Sequence, residues 1–122
     1  MPLFENRSFV SHAGLVLPFK IDCDVLSDED IETAACIIGK KFVFSKVHGI
    51  PRGGVRLANA LEKYISPTGP LLIVDDVFTT GKSMAEAKRV FGQEDAVGVV
   101  IFARGSHPAW IKSIFQLADW VV

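Results

Sequence analysis

Two hydrophobic patterns alternate along the chain: apolar runs with the length of strands, and segments in which apolar residues recur at helical spacing. Residues 15–23 and 46–50 fit extended strands. Residues 71–75 and 96–103 are apolar on both faces, as strands of a parallel sheet must be when helices cover it above and below. The alternation predicts an α/β fold, a small doubly wound and mostly parallel sheet.

The predicted helices have recognisable ends. Ser27 fits an N-cap before an acidic first turn, and Gly39 is expected to end that helix. Further helices are expected after Gly54, over residues 83–91, and after Pro108. The helical spacing predicts these inward-facing residues, in chain order: Ile31, Ala34, Ala35 and Ile38; Leu57, Ala58, Leu61 and Ile65; Met84, Ala87 and Phe91; Trp110, Ile111, Ile114 and Phe115.

Length and composition predict one compact core. A chain of 122 residues, 49% of them hydrophobic and with a formal net charge of −1, has room for one domain. We expect that domain over residues 1–122, with an N-terminal segment at 1–26 and the core at 27–122. The charge is balanced and Lys and Arg form no run, so we expect small-molecule partners, with no nucleic acid and no membrane.

The sequence also predicts a soluble, cytoplasmic protein. An apolar patch at residues 15–19 is interrupted by Lys20 and Asp22, well short of a membrane span or a signal sequence. Cys23 and Cys36 lack the spacing of a metal site and are too few for a disulfide framework. They indicate two ordinary buried thiols in a reducing compartment.

The stretch LLIVDDVFTTGKSM, residues 71–84, carries the most specific chemistry. Its strand runs directly into Asp75 and Asp76, and residues 79–83 then offer backbone N–H groups and hydroxyls at a helix N-terminus. Ligands of such sheets bind beyond the carboxyl ends of the strands, at the crevice where the winding reverses, and HGIPRGG and ARGSHPAW are the loops after neighbouring strands. The N–H groups and hydroxyls of residues 79–83 form an anion cradle that suits a phosphate, and the two carboxylates suit the hydroxyls of a diol. A ribose 5-phosphate has both groups, so it is the ligand that this stretch predicts.

Three alternatives use the same residues. A P-loop needs a glycine five residues before Gly81, where this chain has Asp76. A receiver domain has its acidic pair at the end of the first strand, whereas here the pair follows a later strand. The aspartates could also only cap a helix or tie down a turn, but the adjoining TTGKS makes this the weaker interpretation.

At these residues the chain resembles the type I phosphoribosyltransferases. LLIVDDVFTTGKSM is similar to their motif for phosphoribosyl pyrophosphate (PRPP), and HGIPRGGVRLANAL is similar to their pyrophosphate loop and the helix after it. FVSHAGLVLPFKIDCDVL resembles the N-terminal hood segment of the orotate phosphoribosyltransferase-like branch. The resemblance implies a Rossmann-like phosphoribosyltransferase fold, with residues 1–26 as a short hood, and a transferase of nucleotide metabolism.

The resemblance also implies residue roles. The implied PRPP-binding residues are Arg52, Gly53, Gly54, Asp75, Asp76, Val77, Phe78, Thr79, Thr80, Gly81, Lys82 and Ser83. Residues 79–83 would hold the 5-phosphate, the acidic pair the ribose hydroxyls, and Arg52 with its two glycines the pyrophosphate. Arg52, Asp75 and Asp76 would be catalytic. The implied cofactor, Mg²⁺, would bridge pyrophosphate and ribose oxygens with no residue assigned as a direct ligand.

Two departures from the family pattern concern the lid and the base. Members carry a long mobile hairpin between the pyrophosphate-loop helix and the PRPP strand, where this chain has only SPTGP. In the base pocket His12 stands at the place of a lysine-type ligand, and Lys20 and Ile21 replace aromatic residues. Arg104 lies about where the family places an arginine for the carboxylate of the base. His12, Lys20 and Arg104 are therefore the candidate base-binding residues.

Two functions follow as hypotheses. The first is a Mg²⁺-dependent phosphoribosyltransferase that exchanges the pyrophosphate of PRPP for a ring nitrogen of an orotate-like or other pyrimidine or purine base. The second is a PRPP- or nucleotide-binding module that has lost catalysis with its lid. His48 and His107 are expected to be ordinary turn histidines. We also expect a homodimer. The C-terminal end is apolar, with Trp110, Phe115 and Trp120, and members of the family that the chain resembles are typically dimeric.

Overall fold

The computed structural model describes residues 2–10, 16, 17 and 19–117. In chain order the elements are β1 (Phe4–Glu5), β2 (Phe9–Val10), β3 (Val16–Leu17), β4 (Lys20–Ile21), α1 (Asp28–Lys41), β5 (Lys46–Gly49), α2 (Val55–Leu61), β6 (Leu71–Phe78), α3 (Lys82–Phe91), β7 (Val97–Arg104) and β8 (Ile111–Leu117). The last four strands form a parallel sheet in the order β5–β6–β7–β8.

Helices cover both faces of this sheet, which confirms the predicted fold class. On one face α1 and α2 pack together, and Ile38 and Leu61 join a buried cluster with Leu72 of β6. On the other face α3 buries Met84 in a second cluster that contains Ile73. Residues that alternate along β6 therefore contact different helices, as the apolar pattern of this strand predicted.

The two helical crossovers of the sheet have opposite hands. The strands pair in chain order, so β5–α2–β6 and β6–α3–β7 step in the same direction across the sheet, yet α2 and α3 lie on opposite faces. Crossovers between parallel strands are right-handed in about 98% of cases, so one of these two is an exception. The described strands also show no reversal of their order, which is where the sequence placed the ligand crevice.

Helix α1 begins where it was predicted to begin but ends later. Ser27 forms a capping box: its Oγ accepts from the Asp30 N–H at 3.1 Å, and Asp30 Oδ2 accepts from the Ser27 N–H at 2.9 Å. Gly39 does not end the helix, which continues to Lys41. Its lack of a side chain instead admits the Tyr64 ring, because an added Cβ would lie 2.5 Å from two ring atoms.

The predicted helix after Pro108 is wrong. Residues Ile111–Leu117 form β8, which pairs with β7 so that Gly98 lies opposite Ile111 and Arg104 opposite Leu117. β-branched and aromatic residues favour a strand, and a short apolar run does not distinguish a strand from a helix by spacing alone. Residues 105–110 make the whole connection, although parallel strands usually need a crossover of a dozen or more residues.

Three residues predicted to face inward do not, and one of them is Phe115 of β8, which is 56% exposed. Helix α2 gives way to a 3₁₀ turn at Glu62–Tyr64, so Ile65 lies beyond the helix and is 38% exposed. Phe91 is 46% exposed at the end of α3, where its ring meets the His48 ring with centroids 4.8 Å apart. Strand β6 is longer than predicted and includes the acidic pair.

The N-terminal segment folds into two small antiparallel pairs, β1 with β4 and β2 with β3. A 3₁₀ turn at Cys23–Val25 follows, so the extended stretch predicted over residues 15–23 is limited to β3 and β4, with Leu15 and Pro18 outside the described residues. None of the helices described is long and apolar enough to cross a membrane.

Candidate functional site

The HGIPRGG loop and the acidic pair meet at the carboxyl ends of β5 and β6. The two strands are parallel neighbours, with Gly49 opposite Val74, so the chain leaves both at the same edge of the sheet. The Ile50 N–H donates to the Val74 carbonyl at 2.9 Å, and the Gly54 N–H donates to the Ile50 carbonyl at 2.8 Å. These bonds turn residues 51–54 back against β6.

Gly53 marks the closest approach between the loop and the acidic pair. A Cβ added to Gly53 would lie 2.1 Å from Asp76 Oδ2, and one added to Gly54 would lie 2.4 Å from the Val74 carbonyl oxygen. Only glycine leaves room for this contact. The next side chain, Arg52, points into solvent: it is 89% exposed, and its guanidinium lies 3.9 Å from the Asp24 carboxylate.

Asp75 and Asp76 are half-buried, and each accepts a hydrogen bond from the backbone amide that follows it. The Asp76 N–H donates to Asp75 Oδ1 and the Val77 N–H to Asp76 Oδ1, both at 2.8 Å. Burial, followed by the hydrogen bond and the negative charge of Asp76, raises the pKa of Asp75 to about 8.

The hood segment lies close to this pair. Burial raises the pKa of the Cys23 thiol to about 12, and the carboxylates of Asp76 and Asp22 raise it as well. Asp22 is itself buried and accepts from the Asp24 N–H at 3.2 Å, which fixes the 3₁₀ turn. Cys23 is thus a neutral buried thiol, and Cys36 is half-buried and likewise free. The prediction that both thiols are buried therefore holds for Cys23 alone.

Residues 79–83 form the turn from β6 into α3. Gly81 is the N-cap and has φ of +75°, a conformation that favours glycine, and a Cβ added there would lie 2.4 Å from the Phe78 ring. Thr80 Oγ1 accepts from the Lys82 N–H at 3.4 Å, and Lys82 and Ser83 are exposed in the first helical turn. The turn places backbone N–H groups at the N-terminus of α3, beside the Phe78 ring, and is therefore the candidate anion cradle.

The candidate base-binding residues are only partly brought together. The Arg104 guanidinium, at the end of β7, lies 3.9 Å from the centroid of the Phe19 ring and 5.8 Å from that of Phe9. Burial lowers the pKa of Arg104. Lys20 follows Phe19 directly in β4. His12 lies outside the described residues.

Sequence reasoning missed the aromatic partners of Arg104. It placed the expected aromatic positions at Lys20 and Ile21, one residue after Phe19 in the stretch LPFKID, so the signal was present but misaligned. It also missed the pairing of the Phe78 and His107 rings, whose centroids are 5.8 Å apart. The His107 Nδ1 lies 3.2 Å from the Pro108 carbonyl oxygen, so this histidine is a turn residue that also borders the anion cradle.

The segment between α2 and β6, where the type I phosphoribosyltransferases carry their mobile hairpin, is short in this chain. Between α2 and β6 the chain makes the 3₁₀ turn and then residues 65–70, all of them described, with no hairpin. Within the described part of the chain, no three His, Cys, Asp or Glu side chains converge as ligands for a metal ion.

No protein-family model matches the chain, and no curated protein matches it. Solved structures do match. The orotate phosphoribosyltransferase of Aeropyrum pernix has a TM-score of 0.73 at 22% identity, over 93% of this chain and 88% of that chain. The orotate phosphoribosyltransferase of Mycobacterium tuberculosis H37Rv, in complex with Fe(III) dicitrate, has a TM-score of 0.64 at 14% identity, over 93% and 89%.

A third similar structure is a hypothetical protein from Neisseria gonorrhoeae with bound ppGpp, with a TM-score of 0.56 at 14% identity, over 78% of this chain and 83% of that chain. Identities this low establish the fold alone. The chain therefore has the type I phosphoribosyltransferase fold in the form seen in orotate phosphoribosyltransferases, as its motifs predicted.

Proposed function

We propose that the protein is a phosphoribosyltransferase that exchanges the pyrophosphate of PRPP for a nitrogenous base. The observation that carries the proposal is the contact of Gly53 with Asp76, which joins an exposed arginine on a glycine loop to an acidic pair and an anion cradle. A ribose-phosphate binder would need the cradle and the pair but no pyrophosphate loop.

Each part of the site suits one part of PRPP. The turn at residues 79–83 would hold the 5-phosphate by backbone N–H groups, and the acidic pair would hold the ribose hydroxyls. Arg52 would contact the departing pyrophosphate, and its exposure leaves the guanidinium accessible to an anion. The reaction needs no protein nucleophile, because binding places the reactants and the arginine stabilises the leaving charge.

The base would bind between the hood and β7. Arg104 offers a positive charge over the Phe19 ring, an arrangement that suits a flat anionic ring whose carboxylate meets the guanidinium. Lys20 adds a second positive charge beside Phe19, and His12 remains a candidate. We therefore propose an acidic, orotate-like base, with other pyrimidines and purines as the alternatives to screen.

The residues present fit the implied Mg²⁺. Asp75 and Asp76 are adjacent carboxyl groups, and burial followed by the proximity of Asp76 raises the pKa of Asp75, so a nearby cation would favour their ionised forms. Such a cation keeps several waters and would be held mainly by pyrophosphate and ribose oxygens, with Asp75 and Asp76 closest among protein groups. When bound, it would neutralise charge on the pyrophosphate.

The proposal includes a homodimer. Phe115 is 56% exposed on β8, whereas Trp110 is half-buried beside Gly98 with the Lys88 ammonium over its ring, and Trp120 lies outside the described residues. Of the residues predicted to form the apolar dimer surface, Phe115 is therefore the described one whose side chain is accessible to a partner. Light scattering at micromolar concentration should give the mass of a dimer, and a monomer mass would contradict it.

Titration calorimetry with PRPP and Mg²⁺, followed by a screen for pyrophosphate release over orotate, uracil and the purine bases, tests the function. We expect PRPP to bind and at least one base to release pyrophosphate. Slow transfer accompanied by PRPP hydrolysis is also expected, because without a lid water reaches the reacting carbon more easily.

A second candidate is a nucleotide-binding module without catalysis. The short interval between α2 and β6 favours it, and one structure of similar fold, the N. gonorrhoeae protein, holds ppGpp. If PRPP or ppGpp binds in the micromolar range while no base and no water reacts, the binding module is the correct function and the transferase is not.

A further inference from the structure

A second concave surface lies apart from the site described above. It is a groove of about 620 Å³ between the C-terminal half of α1 and the strands β7 and β8. None of its lining residues belongs to the HGIPRGG loop, the acidic pair, the anion cradle or the hood. A ligand bound there would leave the PRPP site open.

The groove has an apolar floor and apolar walls. Its floor includes Val99, only 1% exposed, and its walls include Ile37, Phe42 and Ile114, all half-buried. Ile37 belongs to α1, Phe42 is the residue after α1, and Ile114 belongs to β8 of the sheet. An apolar segment laid along them would remove their remaining surface from water.

The charges of the groove are all positive. Lys41 and Lys112 are both exposed at its rim, and no Asp or Glu lines it. None of the ion pairs among the described residues includes either lysine. Two ammonium groups without an acidic neighbour in the lining favour an anion at the rim.

We propose that this groove binds a small amphipathic anion, with an alkyl chain against Ile37, Phe42 and Ile114 and a carboxylate or phosphate head at Lys41 and Lys112. The size favours a small molecule over a protein partner: ligand pockets measure about 300–1,000 Å³, whereas a stable protein interface buries roughly 800 Å² on each side. Lysine ammonium groups are point charges that accept either head group, so the shared chemistry is an anionic head on an apolar chain.

Titration calorimetry with decanoate, decyl phosphate and decyltrimethylammonium tests both halves of the proposal. Both anions should bind and the cation should not, and the stronger anion identifies the head group. Octanoate should bind about sixteenfold more weakly than decanoate, because it is two methylenes shorter and each buried methylene changes the affinity about fourfold. Equal binding of the cation, or no binding of either anion, would overturn the proposal.

Variants locate the binding. Lys41→Glu and Lys112→Glu should each weaken decanoate binding at least about tenfold, and Ile37→Trp should block it by filling the groove. Lys40→Glu is the matched control, since Lys40 is the preceding residue of α1, is exposed and does not line the groove. The same loss in Lys40→Glu as in Lys41→Glu would mean that only net charge matters and would refute the site.

Methyl NMR gives a second reading that does not depend on the variants. Decanoate should shift the methyl resonances of Ile37 and Ile114 and leave that of Ile50, beside the acidic pair, unchanged. Shifts confined to the PRPP site would contradict the groove. Asp75→Asn should bind decanoate as the natural chain does, so failure of the transferase proposal and failure of this one are distinguishable.

Discussion

The two halves of the candidate site are built differently. The half assigned to ribose and pyrophosphate comes from loops after two adjacent parallel strands, and its parts touch: a Cβ on Gly53 would lie 2.1 Å from Asp76 Oδ2. The half assigned to the base comes from segments far apart in the chain, with Arg104 of β7 set over Phe19 of the hood. The first half is fixed by backbone hydrogen bonds, whereas the second is joined by the side-chain contact between Arg104 and Phe19.

This difference predicts how the two halves respond to mutation. Changes in the first half should act on PRPP affinity and, where backbone packing is involved, on stability. Changes in the second half should act on the base and leave PRPP affinity intact.

The largest effect is expected from Asp75→Asn with Asp76→Asn. Loss of charge-assisted hydrogen bonds costs about 1.5–3 kcal/mol for each group, so PRPP affinity should fall about a hundredfold or more. Calorimetry with PRPP and Mg²⁺ measures it. Asp95→Asn, at an exposed position outside the site, is the control, and unchanged affinity in the double variant would sink the assignment of the acidic pair.

Arg52→Ala should lower turnover more than it weakens PRPP binding. The arginine is exposed in the free protein and would act on charge that develops as pyrophosphate departs, so about 1.5–3 kcal/mol should appear in kcat. Steady-state rates and PRPP calorimetry separate the two quantities. With Arg89→Ala as the control on α3, an unchanged rate in Arg52→Ala would show that Arg52 has been misassigned.

Gly53→Ala should reduce both PRPP affinity and stability. The new methyl group would overlap the Asp76 carboxylate, and overpacking of this kind costs roughly 1–3 kcal/mol. Gly92→Ala is a useful contrast, because that glycine has φ of +63° with nothing within 4 Å of an added Cβ. It should lower the melting temperature while PRPP affinity stays the same; a Gly53→Ala protein with natural PRPP affinity would argue against the close contact.

Arg104→Ala should weaken the base by about 1–2 kcal/mol and leave PRPP affinity within twofold of the natural value. Phe19→Leu should have the same pattern with a smaller loss, since it removes the ring under the guanidinium. The KM for the base and PRPP calorimetry measure the two effects. If both ligands weaken equally, the two halves are not independent and the comparison fails.

The last prediction concerns pH. The pKa of Asp75 is raised from 3.8 to about 8 in the folded chain, so between these values the folded state binds more protons than the unfolded state. Stability should therefore fall as pH rises from about 4 to about 8. Melting temperatures at pH 5 and pH 8 should differ less in Asp75→Asn than in the natural chain or in Asp95→Asn, and equal slopes would contradict the raised pKa.

The sequence predicted what depends on neighbours in the chain. The capping box at Ser27, the buried strand β6 and the glycine turn before α3 are local, so residue types and spacing specified them. The motifs were also enough to identify the fold. Contacts made across the fold were not predictable in the same way: Arg104 meets Phe19 only because the hood lies beside the end of β7.

Strand β8 shows a different reason for failure. The spacing of Ile111, Ile114 and Phe115 is compatible with a helix and with a strand. The strand forms because the edge of β7 that faces away from β6 offers backbone hydrogen-bond partners to these residues. Gly39 was misread for a similar reason. Its lack of a Cβ serves the Tyr64 ring and not the end of a helix.

The six residues 105–110 also set a limit on engineering this protein. These residues run back along the whole length of the β7–β8 pair, because Ile111 lies opposite Gly98. That length is about 20 Å at roughly 3.3 Å per residue of strand, and six connecting residues span at most about 24 Å. The slack is therefore about one residue. Deleting two residues between Gly105 and Trp110 should detach β8, whereas inserting glycines there should be tolerated.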